Sequence, residues 1–179
     1  MAEERIAERI DANLFDVTMD DLHDMPKQLY DTKLDKLNAK TNGKLIIKEY
    51  PTASAHSGHF RALMNELALK KSFKPDVVFI DYLNICASAR FKGGNISSYF
   101  YVKAIAEELR GLAVEFNLPI FSATQTTRTG YVSTDIGLED TSESFGLPAT
   151  ADFMFALMSN EELEALGQMK VKQLKNRYN

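Results

Sequence analysis

Asp81 ends the apolar run Val77-Val78-Phe79-Ile80, and Gln125 follows Ile120-Phe121-Ser122-Ala123-Thr124. Lys175 and Arg177 stand on either side of Asn176, near the end of the chain. A carboxylate after a buried strand can orient a nucleotide-bound Mg²⁺ through its water shell. An amide in the second place can sense a γ-phosphate or an attacking water. A pair of cations can neutralise the charge that builds on a transferring phosphoryl group. Taken singly, each has a plainer account: the acid caps the next segment, the Gln is a turn residue, the basic end is only solvated. The order acid, amide, cations is that of a machine that splits nucleoside triphosphates.

Strands must deliver these groups. The run at Val77–Ile80 reads as a strand buried on both faces, introduced by Lys74-Pro75-Asp76. Ligands of open α/β sheets sit beyond the carboxyl ends of the strands, which is where Asp81 and Gln125 fall. Further strands are expected at Lys44–Tyr50 (between Asn42-Gly43 and Pro51), at Asp152–Met158 and at Gln168–Leu174. Helices are expected over 1–13, from the cap Thr18 onward with a start or kink at Pro26, over 57–71, and over 98–116 until Asn117-Leu118-Pro119 breaks the last. Within 98–116, Glu107 and Arg110 have the spacing of an intrahelical ion pair. Asp140–Phe145 has the look of a short helix, and Glu161–Gly167 of an acidic helix or turn. Two polar stretches, Cys86–Ser98 with Gly93-Gly94 and Thr126–Asp140, are loops long enough to carry function. Helices alternating with short apolar strands predict an α/β fold on a parallel sheet.

The 179 residues suffice for one domain with a sizeable core, and residues 1–179 are read as a single partial domain. A net charge of −4 argues against a uniform coating of nucleic acid or membrane and leaves room for local basic patches. The single cysteine, Cys86, excludes a disulfide framework and a cysteine-based metal site and suits a reducing compartment. No apolar run is long enough to span a bilayer, and the N-terminus lacks a signal-peptide pattern.

Several stretches, in order, carry a resemblance: Asp76–Leu83, Ile85–Ser88, Val102–Arg110, Ser122–Gln125, Glu143–Phe153 and Lys175-Asn176-Arg177. Together the chain resembles the C-terminal motor domain of DnaB-family replicative DNA helicases, most closely those of large tailed phages. The resemblance implies a RecA-like P-loop NTPase core with a mainly parallel sheet flanked by helices. It also implies a hexameric ring that hydrolyses ATP or another NTP with Mg²⁺, translocates on single-stranded DNA and unwinds duplex. Primase and a helicase loader are the partners it suggests, in the cytoplasm of a bacterial host cell. Asp81 then matches the Walker-B acid. Gln125 matches the amide that couples the γ-phosphate to the DNA loops, and Lys175 and Arg177 match the pair that reaches a neighbouring subunit's γ-phosphate. Arg90, Lys92 and Arg128, on the two loops, would track DNA phosphates, and Phe91 or Tyr131 could stack a base.

One component is missing. The chain contains no Gly-x-x-x-x-Gly-Lys-[Ser/Thr], and Gly43-Lys44 is a turn without the upstream glycine. In the family the phosphate-cradling loop and a catalytic Glu precede the segment that Met1–Arg5 resembles. The expectation is therefore a fragment, without its N-terminal P-loop strand, with little or no hydrolysis of its own. Its unpaired strand edges would promote aggregation, rearrangement or pairing with another chain. Two other readings remain: a non-catalytic RecA-like binding or adaptor module in recombination or helicase loading, and a strand-exchange ATPase, which the Lys-x-Arg ending fits less well.

Overall fold

A computed structural model describes residues 2–91, 96–127, 136–141 and 146–178. The chain falls into two compact units, Met1–Pro51 and Thr52–Asn179.

The first unit holds three helices. α1 (Glu3–Phe15) starts after Ala2 without a side-chain cap, has Glu3 and Glu4 in its first turn, and stops where Asp16 turns left-handed. α2 (Met19–His23) opens on a capping box: the Thr18 hydroxyl accepts the Asp21 N–H at 3.1 Å, and the Asp21 carboxylate accepts the Thr18 N–H at 3.4 Å. Pro26 divides the apolar pattern instead of kinking one helix, and α3 (Lys27–Lys40) begins immediately after it. Ala12, Phe15 and Leu22 are buried together. Tyr30 meets the Phe15 ring edge-on at 5.4 Å, and its hydroxyl donates to Asp11 at 2.7 Å, a bond that raises the tyrosine pKa.

The strand expected at Lys44–Tyr50 does not form; residues 41–50 belong to no helix, strand or ladder. A short apolar run alone cannot make a strand without a neighbour to take its N–H and C=O groups. Glu3 serves this stretch locally, accepting the Glu49 N–H at 2.9 Å and pairing with Lys48 at 3.3 Å.

In the second unit, α4 (Ser57–Lys71) is capped by a histidine. His56 Nδ1 accepts the Gly58 N–H at 3.0 Å, while the His56 N–H donates to Nδ1 of His59 at 3.2 Å. β1 (Val78–Ile80) and β2 (Ile120–Ser122) pair in parallel, Val78 beside Ile120 and Ile80 beside Ser122. Between them runs α5 (Ser98–Phe116), which buries Val102, Ile105, Ala106, Leu109 and Leu112 on one face. Leu112 packs with Met64 and Leu118 against Phe60, Val78 and Ile120, so α4, α5 and the parallel pair share one core. The strand was expected to be covered on both faces. Only one is: Phe79 is 71% exposed and stacks on the half-exposed Phe121 at 5.3 Å, because period 2 turns them away from the helices.

After the short helix α6 (Gly146–Thr150) come β3 (Phe153–Met158), the acidic turn α7 (Glu161–Ala165) and β4 (Lys170–Asn176). β3 and β4 are antiparallel, with Met154 opposite Lys175, and form a second, two-stranded sheet beside the parallel pair expected of a mainly parallel fold. The linker from 159 to 169 is too short for the crossover that parallel strands need. β4 also reaches further than Leu174, placing Lys175 inside the strand. The helix expected at Asp140–Phe145 is replaced at its start by a 3₁₀ turn at Leu138–Asp140, and residues 142–145 lie outside the described set.

Candidate functional site

Asp81 and Gln125 leave the same end of the parallel pair. Paired strands lie about 4.8 Å apart, and the segments after them are laced together. The Leu83 N–H donates to Ala123 O at 3.1 Å, Thr124 Oγ1 to Asn84 Oδ1 at 2.8 Å, and Gln125 Nε2 to the Tyr82 hydroxyl at 3.3 Å. Asp81 is exposed, and among the described residues its carboxylate has no hydrogen bond or ion pair. No cluster of three or more His, Cys, Asp or Glu able to hold a metal occurs among the described residues. A lone free carboxylate suits Mg²⁺ that keeps most of its waters and takes its other ligands from phosphates, rather than a cation caged by protein. The chain supplies no glycine-rich cradle for those phosphates.

Behind this corner Cys86 is buried with Leu83, Ile105 and Leu109, and burial pushes its thiol up to about 11. The thiolate is the reactive form. Native protein at pH 8 is therefore expected to resist iodoacetamide, with rapid alkylation only after unfolding. Intact mass before and after denaturant checks this; rapid native labelling would contradict it.

The loop after the 3₁₀ turn at Leu83–Ile85 carries Arg90. Its anchor is Glu108 of α5, which accepts hydrogen bonds from Ser88 Oγ at 2.6 Å, Ser57 Oγ at 2.9 Å and the Ala89 and Arg90 N–H groups at up to 3.2 Å. Partial burial acts to raise the Glu108 pKa, but these donors outweigh it and hold the carboxyl below its ordinary value. The Arg90 guanidinium pairs with Glu107 at 2.5 Å. The intrahelical pair expected between Glu107 and Arg110 is thus replaced by longer-range ones: Arg110 turns to Asp152 at 2.7 Å. Beside the loop lies an open depression of about 600 Å³ lined by Arg90, Phe91, Ile96, Phe100, Lys103 and Glu107. Lys103 and the exposed Phe100 were not singled out from the sequence. Their signal was the i, i+3 spacing on the first turns of α5, one cation and one aromatic on the same side as Arg90. Lys92, Arg128 and Tyr131 lie outside the described residues.

The terminal cations sit on the β3–β4 hairpin, apart from the strand-end pair. Lys175 Nζ donates to Pro148 O, and Arg177 donates to Ala149 O at 2.7 Å, both at the end of α6. Arg177 Nε also lies 3.2 Å from Asp152 Oδ1, so Asp152 stands between Arg110 and Arg177. Burial first, and then the nearby Arg177, pulls the Lys175 ammonium below its ordinary value. The ends of the Thr126–Asp140 loop are closed: Thr126 bridges Thr141, and the Thr127 N–H donates to Asp140 O at 2.7 Å.

Residues 1–177 match the family model of the DnaB-like helicase C-terminal domain. The chain belongs to that family. It is 49% identical over 181 residues to a DnaB-like replicative helicase of Enterobacteria phage T4, an alignment covering 99% of this chain and 38% of the relative. Two solved structures share the fold. One is a DnaB-like replicative helicase described with its interactions with primase, with TM-score 0.77, 19% identity, and 99% of this chain and 43% of that one covered. The other is a second protein's ATPase domain, with TM-score 0.77, 17% identity, and 99% and 64% covered. The fold is therefore that of DnaB-like, RecA-type ATPase domains. The chain spans under two thirds of the length of each of these three proteins. No helix among the described residues is long and apolar enough to cross a membrane.

Proposed function

We propose that this chain is the part of a replicative helicase motor that carries the Mg²⁺-orienting acid, the γ-phosphate-sensing amide and the cations offered to the next subunit. What supports the reading is the family match across 1–177, together with Asp81 and Gln125 at one end of one parallel pair. It also supports reading both units as parts of a single motor domain. The parent is a hexameric ring on single-stranded DNA in the cytoplasm of a bacterial host, with primase and a loader as its partners.

In this mechanism a bound MgATP, or another NTP, supplies the phosphoanhydride and the cation's Lewis acidity. Asp81 would hold the cation through its bound waters. Gln125, its amide steadied by the Tyr82 hydroxyl, faces the γ-phosphate and the attacking water. Lys175 and Arg177 of one subunit neutralise charge on the neighbour's phosphoryl group. Arg90, Lys92 and Arg128 follow the DNA backbone.

Without a phosphate cradle, the chain alone should hydrolyse MgATP at background rate even with DNA present. Phosphate release measures this; DNA-stimulated turnover abolished by Asp81→Ala would overturn it. DNA binding is tested separately with labelled oligo-dT. Three phosphate contacts should give a slope of log affinity against log salt of about −2. Salt-independent binding, or none, would remove the DNA-tracking role and leave the non-catalytic adaptor reading.

A further inference from the structure

The Arg90 loop is held by two neighbouring carboxylates that do different things. Glu108 takes the backbone. Its oxygens accept the Ala89 and Arg90 N–H groups, and Ser88 Oγ, itself bound to Glu108, accepts the Arg90 and Phe91 N–H groups at 3.1 and 3.3 Å. Successive N–H groups converging in this way form a nest, the backbone shape that elsewhere cradles an anion. Here the protein's own carboxylate fills it and ties the loop to Ser57 at the start of α4. The Tyr101 hydroxyl accepts the Ser88 N–H at 3.1 Å and fixes the near side of the loop. Glu107, one residue away, takes the side chain instead, pairing with the Arg90 guanidinium and lying 3.9 Å from Lys103.

We propose that Glu108 is a positioning residue that presents Arg90 to a nucleic-acid phosphate, while Glu107 is the internal competitor that the phosphate displaces. This rests on the reading of Arg90 as a phosphate contact. A phosphate taking Arg90 must break only the Glu107 pair. That pair is exposed and weak: the two side chains are 52% and 38% exposed. The backbone stays fixed, so Arg90 binds without reordering its loop, which lowers the entropy lost on binding. Two carboxylates of equal charge on adjacent residues thus act in opposite senses.

The opposition is the test. Binding of fluorescein-labelled dT20 is measured by anisotropy at fixed salt for the chain and for Glu107→Gln, Glu108→Gln, Ser88→Ala and Arg90→Ala. Glu107→Gln should tighten binding about two- to fivefold, the scale of an exposed ion pair. Glu108→Gln should weaken it about three- to tenfold, even though it too removes a negative charge, because a fixed donor becomes a floppy one. Ser88→Ala, which removes the loop's half of the network and leaves α5 intact, should weaken binding in the same direction. Equal tightening by Glu107→Gln and Glu108→Gln would show a bulk charge effect and overturn the proposal. Should Arg90→Ala bind like the parent chain, the phosphate reading of Arg90 fails. Trypsin cleavage after Arg90, followed by mass spectrometry, then judges the positioning role alone. Faster cutting there in Glu108→Gln and Ser88→Ala, with other sites unchanged, supports it; unchanged cutting overturns it.

Discussion

Leu112→Ala is expected to lower the stability of the Thr52–Asn179 unit by about 3–5 kcal/mol, the range for truncating a fully buried leucine. Leu112 is 0% exposed and is enclosed by Met64 of α4, by Leu118, and by Val78 and Ile120 of the parallel pair. Walls belonging to separate elements cannot all move inward to close the void, which places the loss toward the top of that range. Leu69 is the control. It lies on α4 but is 85% exposed, and its truncation should change stability by no more than about 0.5 kcal/mol. Urea denaturation followed by circular dichroism separates the two through the midpoint, provided the slope is unchanged. Coincident curves would show that the α4–α5–sheet core is not what holds this unit together.

If Arg177 has the proposed role, Arg177→Ala in rings of a longer chain that also carries a phosphate cradle should cut turnover by roughly 10³-fold, the lower bound for removing an arginine finger, with little change in nucleotide affinity. The fold should survive because Arg110 still neutralises Asp152. Arg177→Lys should not restore the rate, since a point charge cannot replace a planar fork. Mixing decides whether the arginine acts across a subunit boundary. Rings made from Arg177→Ala and Asp81→Ala subunits contain boundaries where an intact acid meets an intact arginine from the neighbour. Turnover should reappear in the mixture although each variant alone is dead. No recovery in verified mixed rings would mean that Arg177 serves its own subunit.

Much of this was legible from residue order. α4 and α5 occupy 57–71 and 98–116 as periodicity and the Asn117-Leu118-Pro119 break indicate. Their apolar faces meet a real core, so local pattern and tertiary burial agree. The strand-end positions of Asp81 and Gln125 were visible because a short apolar run ending in a polar residue leaves few alternatives. The stretch 44–50 also carries a short apolar run, Leu45-Ile46-Ile47, and forms no strand, since pairing depends on a partner that pattern cannot supply. The antiparallel hairpin was within reach: the short link from 159 to 169 argues against a crossover. α6 was not, because five residues that include Gly146 and Pro148 are too few for a period to register. The partners of Arg90, Arg110 and Arg177 were also invisible. Each pair joins residues far apart in sequence, and Glu107 looked satisfied by its own helix.

The histidine cap of α4 ties two positions into a single evolutionary unit. A methyl group on residue 58 would lie 2.7 Å from Cε1 of His56, closer than such atoms ever approach. The ring would have to swing aside and surrender the cap, a loss of about 0.5–2 kcal/mol. Among descendants of this sequence, an alanine or larger residue at 58 should consequently arrive only in company with a small hydroxyl or carboxylate residue at 56.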